Sequence, residues 1–141
     1  MTGIAGFQFG HVAYRVRDLE ASIGWYGRAF GAREAFRARR DDGATQLVYL
    51  EFAPGQLIEL FPDGKNPVEP PPDPIGYAHV CYLVDDLAAA LAHLATLGVA
   101  PAAPPRTGRG GQTLAFVADP DGNRIELMTI PAGSPVPRPP R

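Results

Sequence analysis

GHVAYRVRDLEAS, Gly10 to Ser22, returns as AHVCYLVDDLAAA, Ala78 to Ala90. A second stretch, GQLIEL at Gly55 to Leu60, returns as GNRIEL at Gly122 to Leu127. His79 follows His11 by 68 residues, and Glu126 follows Glu59 by 67. One unit has therefore been duplicated with its internal spacing kept. Two copies make a paired module and not a solenoid, which needs more repeats. Each copy carries one His near its start and one Glu near its end.

Working outward from the first echo, residues 7–16 alternate as a strand. Asp18 then suits a helix N-cap, and Leu19, Ile23, Tyr26 and Phe30 form an apolar stripe at helical spacing. Gly31 is placed to end that helix. Strands are predicted at Ala35 to Arg39, Gln46 to Phe52 and Leu57 to Phe61, with turns at Asp41-Asp42-Gly43 and Pro54-Gly55. The second copy repeats the order: a strand at Tyr77 to Val84, the N-cap Asp86, and a helix with Leu87, Leu91, Leu94 and Leu97 that Gly98 closes. Strands near 99–103, 113–118 and 124–129 follow, the last two joined by a turn at Asp119-Pro120-Asp121-Gly122. The fold class is α+β, from two βαβββ modules. The chain reads as a single domain over 1–141, with module one at 7–61, a Pro-rich linker at 62–75 and module two at 76–130. A Pro-rich tail at 131–141 is expected to be frayed or draped.

Strand parity gives this pattern a geometry, because side chains two apart share a sheet face. Val12, Tyr14 and Val16 are the bulky apolar set and belong under the helix. His11, Ala13 and Arg15 then point the other way. Val80, Tyr82 and Val84 repeat that core set, leaving His79 opposite. Ile58 and Leu60, like Ile125 and Leu127, turn Glu59 and Glu126 away from the helices as well. All four polar residues should lie on helix-free faces, and two such sheets would curl around a cavity that these faces line.

Composition sets the limits of function. The hydrophobic fraction of 45% and charged fraction of 20% are those of a globular protein. A net charge of −2 gives no basic surface for nucleic acid, and no apolar run approaches the roughly 20 residues of a membrane span. Cys81 is the sole cysteine, so no intrachain disulfide forms and a cytoplasmic location is expected. Lys65 is the only Lys, and the Ala, Gly, Pro and Arg content suggests a GC-rich bacterial genome.

Imidazole and carboxylate together are ligands for divalent Zn, Ni, Co, Mn or Fe. His11, Glu59, His79 and Glu126 would supply four positions and leave one or two for water or substrate. Arg106 and Arg109 lie among Thr107, Gly108, Gly110 and Gly111, a loop that could grip an anion by charge and by exposed N–H groups. Cys81 should face the cavity as a small packing residue. Tyr14 and Tyr82 read as core, Asp85 and Asp86 as capping residues, and His93 as a surface side chain. Trp25 sits at the edge of the helix stripe, where it could cover a subunit contact.

These residues resemble the vicinal oxygen chelate superfamily, whose paired βαβββ modules surround a divalent metal. The likeness spans roughly residues 7–130. It is carried by DPDGNRIEL, Asp119 to Leu127, and within the superfamily it is greatest to glyoxalase I. The order His11, Glu59, His79, Glu126 is similar to the ligand order of bacterial glyoxalase I. The resemblance implies one divalent metal per site, Ni, Co or Zn foremost with Mn or Fe as further options. It implies a homodimer, with the modules completing the site within one chain or across two. Arg15 stands where glyoxalase I keeps an arginine for a thiol cofactor's carboxylate. Asp63 stands where that family commonly has an Asn that helps hold glutathione, and a carboxylate there would repel one of the tripeptide's.

A metal on a carbonyl oxygen acidifies the neighbouring C–H, and a carboxylate beside it can carry the proton to the next carbon. The implied activity is a glyoxalase I-like lyase or isomerase, working through a metal-bound enediolate of a 2-oxo-aldehyde thiol adduct. By resemblance Glu126 is the base, with Glu59 its pseudo-symmetric alternative. The same constellation admits an epimerase of an acyl-thioester or keto-sugar. An extradiol-type dioxygenase, a thiol transferase acting on an antibiotic, and a non-enzymatic small-molecule binding protein are more distant readings.

Overall fold

Residues 4–65 and 75–139 are described in the computed structural model of the chain. The middle of the expected linker, 66–74, lies outside them. The chain divides into two compact units, Met1–Val68 and Glu69–Arg141.

In the first unit the order is β1 (His11–Arg15), α1 (Leu19–Phe30), β2 (Arg33–Arg39), β3 (Thr45–Ala53) and β4 (Gln56–Phe61). The sheet order is β1-β4-β3-β2, with β1 parallel to β4 and the other pairs antiparallel. The Asp18 side chain caps α1 by accepting from the Ala21 N–H at 3.0 Å. Gly31 closes the helix at φ 70°, a left-handed turn that costs glycine little. Tyr14, Val16, Ile58 and Leu60 are buried, as parity requires, while His11, Ala13 and Arg15 are exposed.

The core of this unit is aromatic. Tyr26 is fully buried, stacked near Tyr14 with centroids at 6.4 Å and edge-on to Phe52 at 6.3 Å. Trp25 meets Tyr26 at 4.9 Å and Phe30 at 5.6 Å, and only 8% of it is exposed. The expected place for Trp25 at a subunit contact is thus corrected: its ring is spent on the unit's own core. Ring pairs at such distances add about 0.5–1.5 kcal/mol each beyond area burial, so α1 is held by side-chain shape more than by helix propensity.

In the second unit the order is β5 (Val80–Leu83), α2 (Leu87–Thr96), β6 (Arg106–Thr107), β7 (Thr113–Ala118) and β8 (Arg124–Thr129). The sheet order β5-β8-β7-β6 repeats the first, again with a parallel first pair. Asp86 caps α2 through the Ala89 N–H at 2.9 Å. Its core is aliphatic: Leu87, Leu94, Leu114, Val117, Ile125 and Leu127 are buried.

The strand expected near 99–103 is absent, and its place in the sheet is taken by the two-residue β6. Pro101, Pro104 and Pro105 have no N–H to give a ladder. Only the Ala102 N–H reaches the sheet, donating to the Phe116 carbonyl at 2.8 Å. The DPDGN segment is a turn built on one buried carboxylate. Asp119 accepts from the Asp121 and Asn123 backbone N–H groups and the Asn123 side chain, at 2.8–2.9 Å.

The tail is draped. Ser134 Oγ donates to the Gly110 carbonyl at 2.7 Å and accepts from the Val136 N–H at 3.1 Å. Arg138 donates to the Ile130 carbonyl. A Cβ at Gly110 would meet Val136 Cγ2 at 2.5 Å, so the tail lies directly on that loop.

Candidate functional site

Each unit presents one His–Glu pair. His11 Nε2 and Glu59 Oε2 are 3.2 Å apart, and so are His79 Nε2 and Glu126 Oε2. The side-chain exposures also match, 36% and 10% in the first pair, 34% and 13% in the second. The four residues singled out by the repeat are therefore brought together two by two. Among the described residues no three His, Cys, Asp or Glu side chains form one cluster. Each unit alone offers two donors, fewer than the four or more positions of the usual metal sites.

The sheet register explains what surrounds each carboxylate. In the first unit Glu59 lies between Ala13 on β1 and Tyr49 on β3. In the second, Glu126 lies between Cys81 on β5 and Phe116 on β7. The ring of His11 stands edge-on to Tyr49 at 5.2 Å and 85°, and that of His79 edge-on to Phe116 at 5.2 Å and 76°. Each imidazole is thus clamped between a carboxylate and an aromatic ring. This fixes the ring plane and keeps Nε2 on the helix-free side.

The donors on the two carboxylates differ. The Tyr49 hydroxyl donates to Glu59, and this bond, with lesser help from desolvation and the carboxylate's charge, raises the Tyr49 pKa. Phe116 has no hydroxyl, and Cys81 serves Glu126 in its place. Burial first, then the Glu126 charge and hydrogen bond, pushes the Cys81 thiol up to about 12. Cys81 is accordingly a neutral thiol at physiological pH and a poor nucleophile.

The predicted substrate residues are dispersed. Arg15 lies over the Phe61 ring at 5.2 Å and donates to the Pro62 carbonyl at 3.1 Å. Asp63 adopts φ 64° and faces Arg40 at 3.6 Å, so its charge has a partner within the unit. Arg106 is on β6 and Arg109 in the turn beyond it, both exposed. The expected anion grip by backbone N–H groups of that loop is corrected in part. The Gly108 N–H donates to the Gln112 carbonyl at 2.7 Å and the Gly111 N–H to the Gly108 carbonyl at 3.1 Å, so both are spent on the turn itself. His93 is exposed on α2.

Tyr49, Phe116 and Arg124 escaped sequence reasoning. The signal existed: Phe116 follows Tyr49 by 67 residues, the offset of the two Glu. Arg124 shares a strand face with Glu126, two residues on. Its guanidinium lies over the Phe116 ring at 3.9 Å.

As to a metal, each pair supplies one imidazole nitrogen and one carboxylate oxygen, donors of the chemical type that Zn, Ni, Co, Mn or Fe accept, but two donors do not make a site within either unit.

Comparison with known proteins agrees with the fold. Residues 8–127 match the model of the Glyoxalase/Bleomycin resistance protein/Dioxygenase superfamily. A lactoylglutathione lyase of Pseudomonas aeruginosa is 28% identical, over 86% of this chain and 82% of its own length. An ethylmalonyl-CoA/methylmalonyl-CoA epimerase of Cereibacter sphaeroides is also 28% identical, over 85% and 96%. A glyoxalase family protein of Enterococcus faecalis superposes with a TM-score of 0.75 at 24% identity, covering 89% of this chain and 99% of that one. With the family model spanning both repeats, the chain belongs to the Glyoxalase/Bleomycin resistance protein/Dioxygenase superfamily.

Proposed function

We propose that the protein is a metal-dependent lyase or isomerase of the glyoxalase I type, moving a proton between adjacent carbons of a 2-oxo-aldehyde thiol adduct. The observation that carries this reading is the doubled His–Glu pair, 3.2 Å in both units. His11, Glu59, His79 and Glu126 would hold one divalent metal when the two pairs meet, within one chain or across a homodimer. Bound there, the metal would act as a Lewis acid on the substrate oxygens. Glu126 takes the proton and returns it one carbon away; Glu59 is its pseudo-symmetric partner. The lyase relative supports the reaction class. A neutral Cys81 beside Glu126 is compatible with it, since a thiolate there would compete for the metal.

Arg15, Arg106 and Arg109 are the side chains proposed to meet anionic parts of the adduct. Asp63, in place of the family's usual Asn, weakens the case for glutathione as the thiol, although its ion pair with Arg40 lessens the repulsion. No helix among the described residues is long and apolar enough to cross a membrane. A cytoplasmic location and a small-molecule substrate belong to the same proposal, and the net charge of −2 favours no nucleic-acid partner.

One specific observation favours a second reading. The epimerase relative covers the chain as fully as the lyase does. Proton transfer at carbon beside a carbonyl serves both reactions, so the substrate separates them.

The test is reconstitution with Ni, Co, Zn, Mn and Fe, followed by assay of methylglyoxal hemithioacetals made from several thiols. The reading predicts turnover that His79→Ala loses together with the metal, and that Glu126→Gln loses with most of the metal retained. Tight metal binding without turnover on any hemithioacetal, but with solvent-deuterium exchange into an acyl-thioester, would establish the epimerase instead.

A further inference from the structure

We infer that a cavity of the second unit, lined by Arg106, Arg124, Phe116, Leu114 and Pro104, binds a small anionic group of the ligand, a carboxylate or a phosphate. Its volume is ≈ 170 Å³. That space admits one such group with a few carbons attached and is far below the usual size of a pocket for a whole drug-sized ligand.

Three observations carry the chemistry. First, two arginines, Arg106 and Arg124, line the cavity, and no ion pair to either is found among the described residues. Second, the Arg124 guanidinium lies over the face of Phe116 at 3.9 Å. Stacking uses the face of the cation and leaves its N–H edges available for in-plane, two-point bonds to an oxyanion. Third, the other side chains that line the cavity are apolar and uncharged, so none of them competes with an anion for the two arginines.

Location ties the cavity to the proposed chemistry. Arg124 and Glu126 are two residues apart on one face of β8, about 7 Å along the strand. Phe116, which carries Arg124 on its ring, also meets the His79 ring at 5.2 Å. An anion held by Arg124 would therefore belong to a ligand whose reacting atoms lie beside Glu126. This placement rests on the function proposed above, whereas the anion site itself does not. In the first unit Leu57 takes the place of Arg124, paired with His11, so the feature is particular to the second unit.

The experiment uses the full-length, metal-free protein, isotope-labelled for NMR, at constant ionic strength. Acetate and inorganic phosphate are titrated separately while the Nε–H signals of Arg106 and Arg124 and the Phe116 amide are followed. Saturable shifts at these groups with either anion are expected, and the anion that saturates names the group recognised. Arg124→Gln should weaken binding roughly tenfold or more, while Arg33→Gln, which removes a charge in the other unit, should leave it unchanged. If Arg124→Gln fails to fold, Arg124→Leu, the residue of the matching place, gives the same readout. Absence of a saturable shift with both anions, or equal weakening in Arg33→Gln, overturns the inference. Anion binding without hemithioacetal turnover would leave this inference standing and sink the proposed function. Turnover without anion binding would do the reverse.

Discussion

The two units share a frame and differ in what fills it. Both hold a His–Glu pair at 3.2 Å with an aromatic ring against the imidazole. Around that shared frame, Ala13 and Tyr49 flank one Glu where Cys81 and Phe116 flank the other. Arg15 corresponds to Leu83 and Leu57 to Arg124. Duplication preserved the groups suited to a metal, and divergence acted on their neighbours. Under the proposed function, residues that act jointly on one ion would keep their symmetry, while a substrate with two unlike ends would call for unlike walls.

The largest expected effect would break the symmetry of the two carboxylates. Under the proposed function Glu126→Gln should lower kcat by about 10²–10⁴-fold, and Glu59→Gln should act mainly through metal affinity. Equal kcat losses with equal metal retention would make the two Glu interchangeable.

A second contrast concerns the cores. Tyr26→Ala in the aromatic core should cost about 3–5 kcal/mol, and Leu94→Ala in the aliphatic one about 2–5 kcal/mol. Chemical denaturation checks both, and separate transitions for the two variants would show that the units unfold independently.

Gly64→Ala should be next in size. The added Cβ would lie 2.9 Å from the Val16 carbonyl carbon and oxygen, and backbone cannot swing aside as a side chain can. A loss of about 1–3 kcal/mol is expected. It would fall on the first unit, whose Gly64 N–H also bonds Val16 at 2.8 Å.

The thiol gives a smaller effect. With its pKa raised to about 12, Cys81 stays protonated until the pH approaches that value. Alkylation by iodoacetamide should therefore be far slower than for a free thiol from pH 7 to 9, and Cys81→Ala should keep most activity. Rapid alkylation at pH 7 would contradict the burial and the carboxylate contact.

The smallest effect lies away from both pairs. Arg37 bridges Glu34 at 2.7 Å, a bond that lowers the Glu34 pKa. A depressed folded-state pKa contributes stability above the unfolded carboxylate pKa and loses it as pH falls through the folded value. Because Glu34 is exposed and Arg37 keeps its second carboxylate, Glu20, the change Glu34→Gln should cost no more than about 1 kcal/mol at neutral pH and nothing in acid.

Much of this was legible in the chain. Alternation placed Tyr14, Val16, Ile58 and Leu60 in the core and His11 and Arg15 outside it, because a strand's period of two is a local property. Asp18 and Asp86 were readable as caps for the same reason: the bond spans three residues. The strand expected near 99–103 failed because Pro101 within it and Pro104 and Pro105 just after it lack the donors that a ladder needs. Trp25 was misjudged because helix spacing gives a direction and not the ring that waits there. Tyr49 and Phe116 were missed because a cross-strand neighbour depends on register, which hairpin turns and bulges set.

The sequence by itself determined the duplication, the βαβββ order and the matched places of the two His and two Glu, since each depends on spacing along the chain. Only the tertiary structure decided that each His meets its own module's Glu at 3.2 Å, that Cys81 and Tyr49 attend different carboxylates, and that Arg124 lies on Phe116. Those facts join residues far apart in sequence, and their partners are chosen by sheet register and packing, which no local pattern encodes.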